Sequence, residues 1–197
     1  VVDVQNDFCP GGSLAVAGGD EIVPLANRLI GEFEHVVLTQ DWHPAGHSSF
    51  ASSHPGKAPF ETVGMPYGTQ TLWPDHCVHG TKGADFHPDL DWTRAELVIR
   101  KGFRAAIDSY SAFFENDRET PTGLAGYLRE RGISDLTLIG LATDFCVAYS
   151  AIDAVRGGFS ATVLLDGCRA IDLGGSLAAM KQQMAEISNA RATVLRP

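Results

Sequence analysis

The sequence predicts an α/β fold: a doubly wound, six-stranded, mostly parallel sheet with helices on both faces. Two observations carry that expectation. Short apolar runs alternate along the chain with helical patterns, and such alternation specifies parallel strands joined by crossover helices. The runs are rich in leucine and β-branched residues and lack polar alternation, the mark of strands covered on both faces. At 197 residues the chain suits one domain with a sizeable core and is short for two. Residues 1–197 are therefore read as one domain.

Strands are expected at residues 1–4, 36–39, 97–100, 136–140, 162–165 and 193–195. Helices fill the gaps. Asp20 is placed to cap a helix over residues 21–33, with Pro24 still in its tolerant first turn. Thr120 is placed to cap a second helix, with Pro121 at its first position and Gly132 at its end. A third covers 144–155 and stops at Gly157 and Gly158, and a fourth covers about 175–188 through Leu177, Met180, Met184 and Ile187. One segment breaks this rhythm. Residues 41–96 show neither helix nor strand, yet hold six of the seven histidines, at 43, 47, 54, 76, 79 and 87. A loop of that length in a compact domain is functional or disordered, and its aromatic content is wrong for disorder. It is expected to build a site.

Composition narrows the function classes. A formal net charge of −9 argues against nucleic acid or an anionic membrane surface as partner, since phosphate binding needs clustered Lys and Arg. No apolar stretch approaches the roughly 20 residues that span a bilayer. Cysteines 9, 77, 146 and 168 lie far apart with no CxxC pair, which fits a reduced, cytoplasmic enzyme better than a disulfide scaffold. The chain opens without Met inside a strand-like run, so a few residues are expected to precede Val1. A small-molecule substrate is the partner this balance favours, and a homo-oligomer stays open.

Cys146 is the candidate nucleophile. It falls in the first turn of the 144–155 helix, just past the 136–140 strand. Open α/β sheets place ligands outside the carboxyl ends of their strands, and a helix N-terminus lowers a thiol pKa. Asp3 and Lys101 stand at two other strand ends. A carboxylate to take the thiol proton, and an ammonium to favour the thiolate, complete a catalytic set of Asp3, Lys101 and Cys146. The backbone N–H groups of Ala142 and Cys146 are the natural oxyanion donors. Asp41 and His43, two apart in an extended segment, point to one side and could share a metal ion, with His76 closing the set from the far end of the loop. Two histidines and a carboxylate suit one divalent ion, Zn, Fe(II) or Mn. His47 lies four residues past His43, but Pro44 and Gly46 disfavour a helix there. Phe8, Trp73 and Tyr110 could line a small flat pocket or simply pack in the core.

Taken together, these segments resemble a known family. They are Val1-Val-Asp-Val-Gln-Asn-Asp-Phe8, Asp41-Trp-His-Pro44 with His47, Trp73-Pro-Asp-His-Cys-Val78, Arg100-Lys-Gly102, Ile107-Asp-Ser-Tyr-Ser-Ala-Phe-Phe114 and Gly140-Leu-Ala-Thr-Asp-Phe-Cys-Val147. In that order, over nearly the whole chain, they resemble the nicotinamidases (pyrazinamidases) of the isochorismatase-like cysteine hydrolase superfamily. The resemblance implies hydrolysis of nicotinamide to nicotinate and ammonia by the triad of Asp3, Lys101 and Cys146. It implies a metal on Asp41, His43 and His76, with waters and, in some members, an extra residue for which His47 is the candidate. It also implies a cis peptide before Ala142 that directs N–H groups at the oxyanion. Asp7 rivals Asp3, but the family's carboxylate is the first Asp of the Asp-x-Gln-x-Asp-Phe pattern. Phe145 departs from members that carry His there. A hydrolase of carbamoyl or ureido substrates would keep the triad without needing Asp41, His43 and His76, and a non-enzymatic metal-binding module would gain nothing from the triad.

Overall fold

The computed structural model describes residues 1–187. Its order is α1 (Val23–Glu32), β1 (Val37–Asp41), β2 (Thr62–Met65), β3 (Gly68–Thr71), β4 (Leu97–Lys101), α2 (Leu124–Glu130), β5 (Asp135–Leu141), α3 (Ala148–Arg156), β6 (Ser160–Arg169) and α4 (Ser176–Ile187). β1 pairs with β4 and β5 with β6, both parallel. Between these ladders runs the N-terminus. Thr39 N–H donates to Val1 O (3.0 Å), Val2 N–H to Ile139 O (2.8 Å) and Leu141 N–H to Val2 O (2.9 Å). The spatial order is therefore β4, β1, residues 1–2, β5, β6. The expected strand over 193–195 lies outside the described residues.

The first strand is shorter than expected because Asp3 turns into the left-handed region, with φ 47°. Asp tolerates that conformation better than most residues, and the turn buries its carboxylate completely. Other expected boundaries also shift. Asp20 makes no capping hydrogen bond; a 3-10 turn over Gly19–Ile22 leads into α1, and Pro24 sits in the first turn of that helix. The helix expected from Thr120 begins only at Leu124, after Gly123. Thr120 is held instead by Asp117, which accepts both its N–H and its hydroxyl, while Phe114 and Pro121 form an antiparallel bridge. The 41–96 segment also contains an antiparallel hairpin, β2–β3. Its two strands are four residues each and half exposed, too short and too polar to announce themselves.

The core sits where the helices meet the strands. α1 buries Val23, Ala26 and Ile30, α2 buries Leu124 and Leu128, and α4 buries Met180 and Met184. α3 is buried over most of its length, Ser150 included. Ser150 joins the helix to the neighbouring loop: its hydroxyl donates to Cys146 O at 2.6 Å and accepts Ala112 N–H at 2.8 Å. Ser150→Ala leaves a buried N–H without a partner, at a cost of about 1–3 kcal/mol. Urea unfolding should show a lower midpoint at unchanged slope; an unchanged midpoint would remove the link from the fold's support.

Candidate active site

Three strand ends meet, and register explains the meeting. Asp41 and Lys101 are partners on the last rung of the β1–β4 ladder, and residues 1–2 run along the other edge of β1, so Asp3 emerges beside both. Lys101 is fully buried. Its ammonium lies 2.8 Å from Asp3 Oδ2 and 3.0 Å from Asp41 Oδ1. It also donates to Ser109 O at 3.0 Å and to Cys146 Sγ at 3.3 Å. Thr39 donates its hydroxyl to Asp3 Oδ1. Cys146 stands in a π-helical turn, Thr143–Val147, that opens from extended Ala142 and runs on into α3. Such turns recur at functional sites. The Leu141–Ala142 peptide is cis.

Burial dominates the electrostatics. It raises the Asp3 pKa against the pull of Lys101. It would lower the Lys101 pKa, but the Asp3 and Asp41 carboxylates outweigh it and hold the ammonium charged well above its usual range. The Cys146 thiol is also pushed well up, first by burial and then by the Asp3 and Asp41 charges, with Lys101 pulling the other way. A thiol acidified by the helix N-terminus is the expectation from sequence. Here dehydration outweighs that field, and the resting sulfur keeps its proton.

The second cluster faces the same carboxylate. Asp41 Oδ2 lies 3.1 Å from His43 Nε2 and 3.4 Å from His76 Nε2. His43 Nδ1 lies 2.9 Å from Gly102 O, and His76 Nδ1 lies 2.8 Å from Pro74 O. A carbonyl only accepts, so each Nδ1 carries a proton and each Nε2 faces Asp41. Burial opposes charge on His43, but the Asp41 carboxylate outweighs it and raises the His43 pKa, so without a cation that Nε2 favours a proton shared with Asp41. Two imidazole Nε2 atoms and a carboxylate converging on one point are the donor set of a divalent cation, which takes the place of such a proton, and backbone-fixed Nδ1–H groups are its usual support. Ligand atoms sharing an ion at 2.0–2.2 Å lie about 3 Å apart, as Asp41 Oδ2 does from each Nε2, at 3.1 and 3.4 Å. The residues fit a metal. Gly102, at φ 68°, makes room, since a Cβ there would strike the His43 ring.

His47 is part of a neighbouring group with His43 and Asp108. Its Nδ1 pairs with the Ser49 hydroxyl at 2.7 Å, and its Nε2 faces Arg104 O at 2.9 Å and Ile107 O at 3.2 Å. Both nitrogens are engaged by the protein. His47 ties the 104–107 loop down through these contacts.

One small pocket brings the two clusters together. Asp41, His76 and Asp108 are on its polar wall, Ala142 and Cys146 beside them, and Phe8, Leu14, Trp73, Tyr110, Phe145 and Ile171 supply the apolar lining. Trp73 Nε1 donates to Tyr110 Oη at 3.1 Å, as does Gln70 Nε2 at 3.0 Å. The three expected aromatics are therefore present together. Leu14 and Ile171 are additions that no sequence signal marks; Asp108 and Phe145 sat inside recognised segments with no role given. A larger cavity, about 260 Å³, lies between Leu29, Phe33, Val37, Leu128 and Leu136, at the opposite ends of the strands, away from this chemistry.

A family model described as the isochorismatase domain matches residues 1–193. The chain belongs to the isochorismatase family. Among its relatives, the nicotinamidase of Acinetobacter baylyi is 59% identical over 184 residues, 93% of this chain and 86% of that one. The solved structure of an Acinetobacter baumanii nicotinamidase/pyrazinamidase superposes with a TM-score of 0.95 at 58% identity, over 98% of this chain and 93% of that one. A pyrazinamidase of Pyrococcus horikoshii in complex with zinc gives 0.77 at 32% identity, over 99% and 97%. No helix among the described residues is long and apolar enough to cross a membrane.

Lys101 places its ammonium 3.3 Å from the Cys146 thiol. Lys101→Ala removes the charge that favours the thiolate, so the thiol pKa should rise further. Iodoacetamide alkylation of Cys146 should then begin at higher pH than in the parent. An unchanged pH profile would make Lys101 a bystander.

Proposed function

We propose that this isochorismatase-family chain is a nicotinamidase, hydrolysing nicotinamide to nicotinate and ammonia through a thioester on Cys146. The observation that carries the reading is one pocket with two ends: a thiol 3.3 Å from a buried ammonium, and an Asp41–His43–His76 set of which Asp41 and His76 line the same space. An amide on a nitrogen heterocycle needs both. The similarity to nicotinamidases over most of the chain supports it.

The Cys146 thiol and the Asp3 carboxylate meet on Lys101, whose ammonium lies 3.3 Å from Sγ and 2.8 Å from Asp3 Oδ2. As sulfur bonds to the amide carbon, its proton passes to Asp3, whose raised pKa suits it to hold one. The Ala142 and Cys146 N–H groups face the oxygen that gains charge. Collapse breaks the carbon–nitrogen bond, and Asp3 gives its proton to the departing ammonia. Asp3 next takes a proton from water, whose oxygen attacks the thioester; nicotinate leaves and Asp3 returns the proton to sulfur. Lys101 stays charged throughout and keeps Asp3 and Asp41 in place. Phe8, Trp73 and Tyr110 hold the ring flat. A divalent ion, Zn, Fe(II) or Mn, held by Asp41, His43 and His76 would offer a Lewis-acid position for the ring nitrogen. Pyrazinamide keeps a nitrogen at that position and is expected to be deamidated too. Four free, buried cysteines support a reducing, cytoplasmic setting.

Ammonia release from nicotinamide, beside a panel of carbamoyl and ureido compounds, tests the reading. Nicotinamide should dominate, and Cys146→Ala should abolish release while keeping the fold. Activity confined to the panel would overturn the substrate assignment. Benzamide has the same amide without the ring nitrogen. A site built around a polar atom rejects an analogue lacking it by up to about 10⁴-fold. Comparable kcat/KM for benzamide and nicotinamide would remove the ring nitrogen from recognition.

A further inference from the structure

The Asp-x-Gln-x-Asp-Phe segment holds a second carboxylate that the reaction does not use. Asp7 is 8% exposed and makes no ion pair among the described residues. Its two oxygens accept backbone N–H groups instead: Oδ1 from Ser13 at 3.1 Å and Oδ2 from Cys77 at 2.7 Å, seventy positions away. Cys77 immediately follows His76 and stands at φ 45°, a conformation that non-glycine residues keep only where their surroundings impose it. Its carbonyl accepts the His43 N–H at 3.0 Å. The Cys77 backbone thus links the two histidine segments, gripped by Asp7 on its N–H and by His43 on its C=O. Gly83 presses on the Asp7 carboxylate so closely that a Cβ there would collide with it. Phe8, the next residue, packs its ring 5.5 Å from that of His76.

We infer that Asp7 is a positioning residue for the metal set: it fixes Cys77, and through Cys77 the aim of His76 Nε2 at Asp41. This inference rests on the proposal that Asp41, His43 and His76 hold a divalent ion. Charge matters here because a carboxylate accepts at both oxygens, whereas an amide of the same shape turns a donor on one of the two N–H groups. Residues that orient metal ligands typically contribute 10–100-fold to affinity.

The test is zinc(II) affinity, measured by competition with a chromophoric chelator on metal-stripped protein, beside the rate of iodoacetamide alkylation at Cys146. Asp7→Asn should weaken zinc about 10–100-fold and leave the alkylation rate of the metal-stripped protein unchanged. Gly83→Ala, which pushes the same carboxylate without removing its charge, should weaken zinc in the same direction and serves if Asp7→Asn does not fold. Zinc affinity within twofold of the parent in the folded variants would overturn the inference. So would alkylation slowed in step with zinc loss, which would make Asp7 a general support of the site. If the parent itself takes up no zinc, the metal proposal fails first, and that outcome is read before any variant.

Discussion

One buried ammonium holds the site together. Lys101 Nζ touches Asp3, Asp41 and Cys146 within 3.3 Å, in a place water does not reach. Taking each ion out of water costs several kcal/mol, which only close pairing and full hydrogen bonding offset. Two carboxylates share one ammonium in the cluster. The thiol answers by keeping its proton, and Asp41 answers by turning its second oxygen toward two imidazoles. The raised pKa of the Cys146 thiol and the grouping of two imidazoles on Asp41 therefore have one origin.

That origin is set by strand register. Because Asp41 and Lys101 share a rung, no loop has to bring them together, and because residues 1–2 fill the gap between the ladders, Asp3 reaches both without a long excursion. Polar residues at strand ends were accordingly the legible part of the sequence. Apolar runs locate the strands, and the residues just past them face the crevice whatever the loops do. The clustering of Asp41, His43 and His76 was legible for a related reason. Asp41 and His43 sit on one extended segment, and His76 lies at the end of a loop whose composition already marks it as a site builder.

What stayed hidden depends on contacts that sequence spacing does not encode. Thr120 and Pro121 have the residue types of a helix start, but Asp117 captures Thr120 in a turn and delays α2 to Leu124. Leu14 and Ile171 enter the pocket from loops by tertiary placement alone. Ile171 is held there by Asp144, whose carboxylate accepts the N–H groups of Ile171 and Asp172 at 3.0 and 2.8 Å. The direction of the thiol pKa was missed for a quantitative reason. A helix-end field acts over the first turn and is modest, while complete burial beside two carboxylates is not.

The histidines of the long loop show how little residue type alone decides. His43, His47 and His76 are all buried, and the His43 ring packs against both of the others, with centroids 4.4 Å from His47 and 5.0 Å from His76. What separates them is which nitrogen the backbone claims. Gly102 O and Pro74 O each take one Nδ1–H, which frees Nε2 for Asp41; Ser49 and two carbonyls take both nitrogens of His47, which leaves it a tether for the loop leading to Asp108 and Tyr110. Burial lowers the His47 pKa, with His43 adding to the effect, so the tether stays neutral and its single ring proton stays on Nε2, between the two carbonyls. Histidines that face Asp41 and a histidine that staples a loop thus differ by the placement of carbonyl oxygens a few residues away, and the shape of the pocket wall depends on the staple.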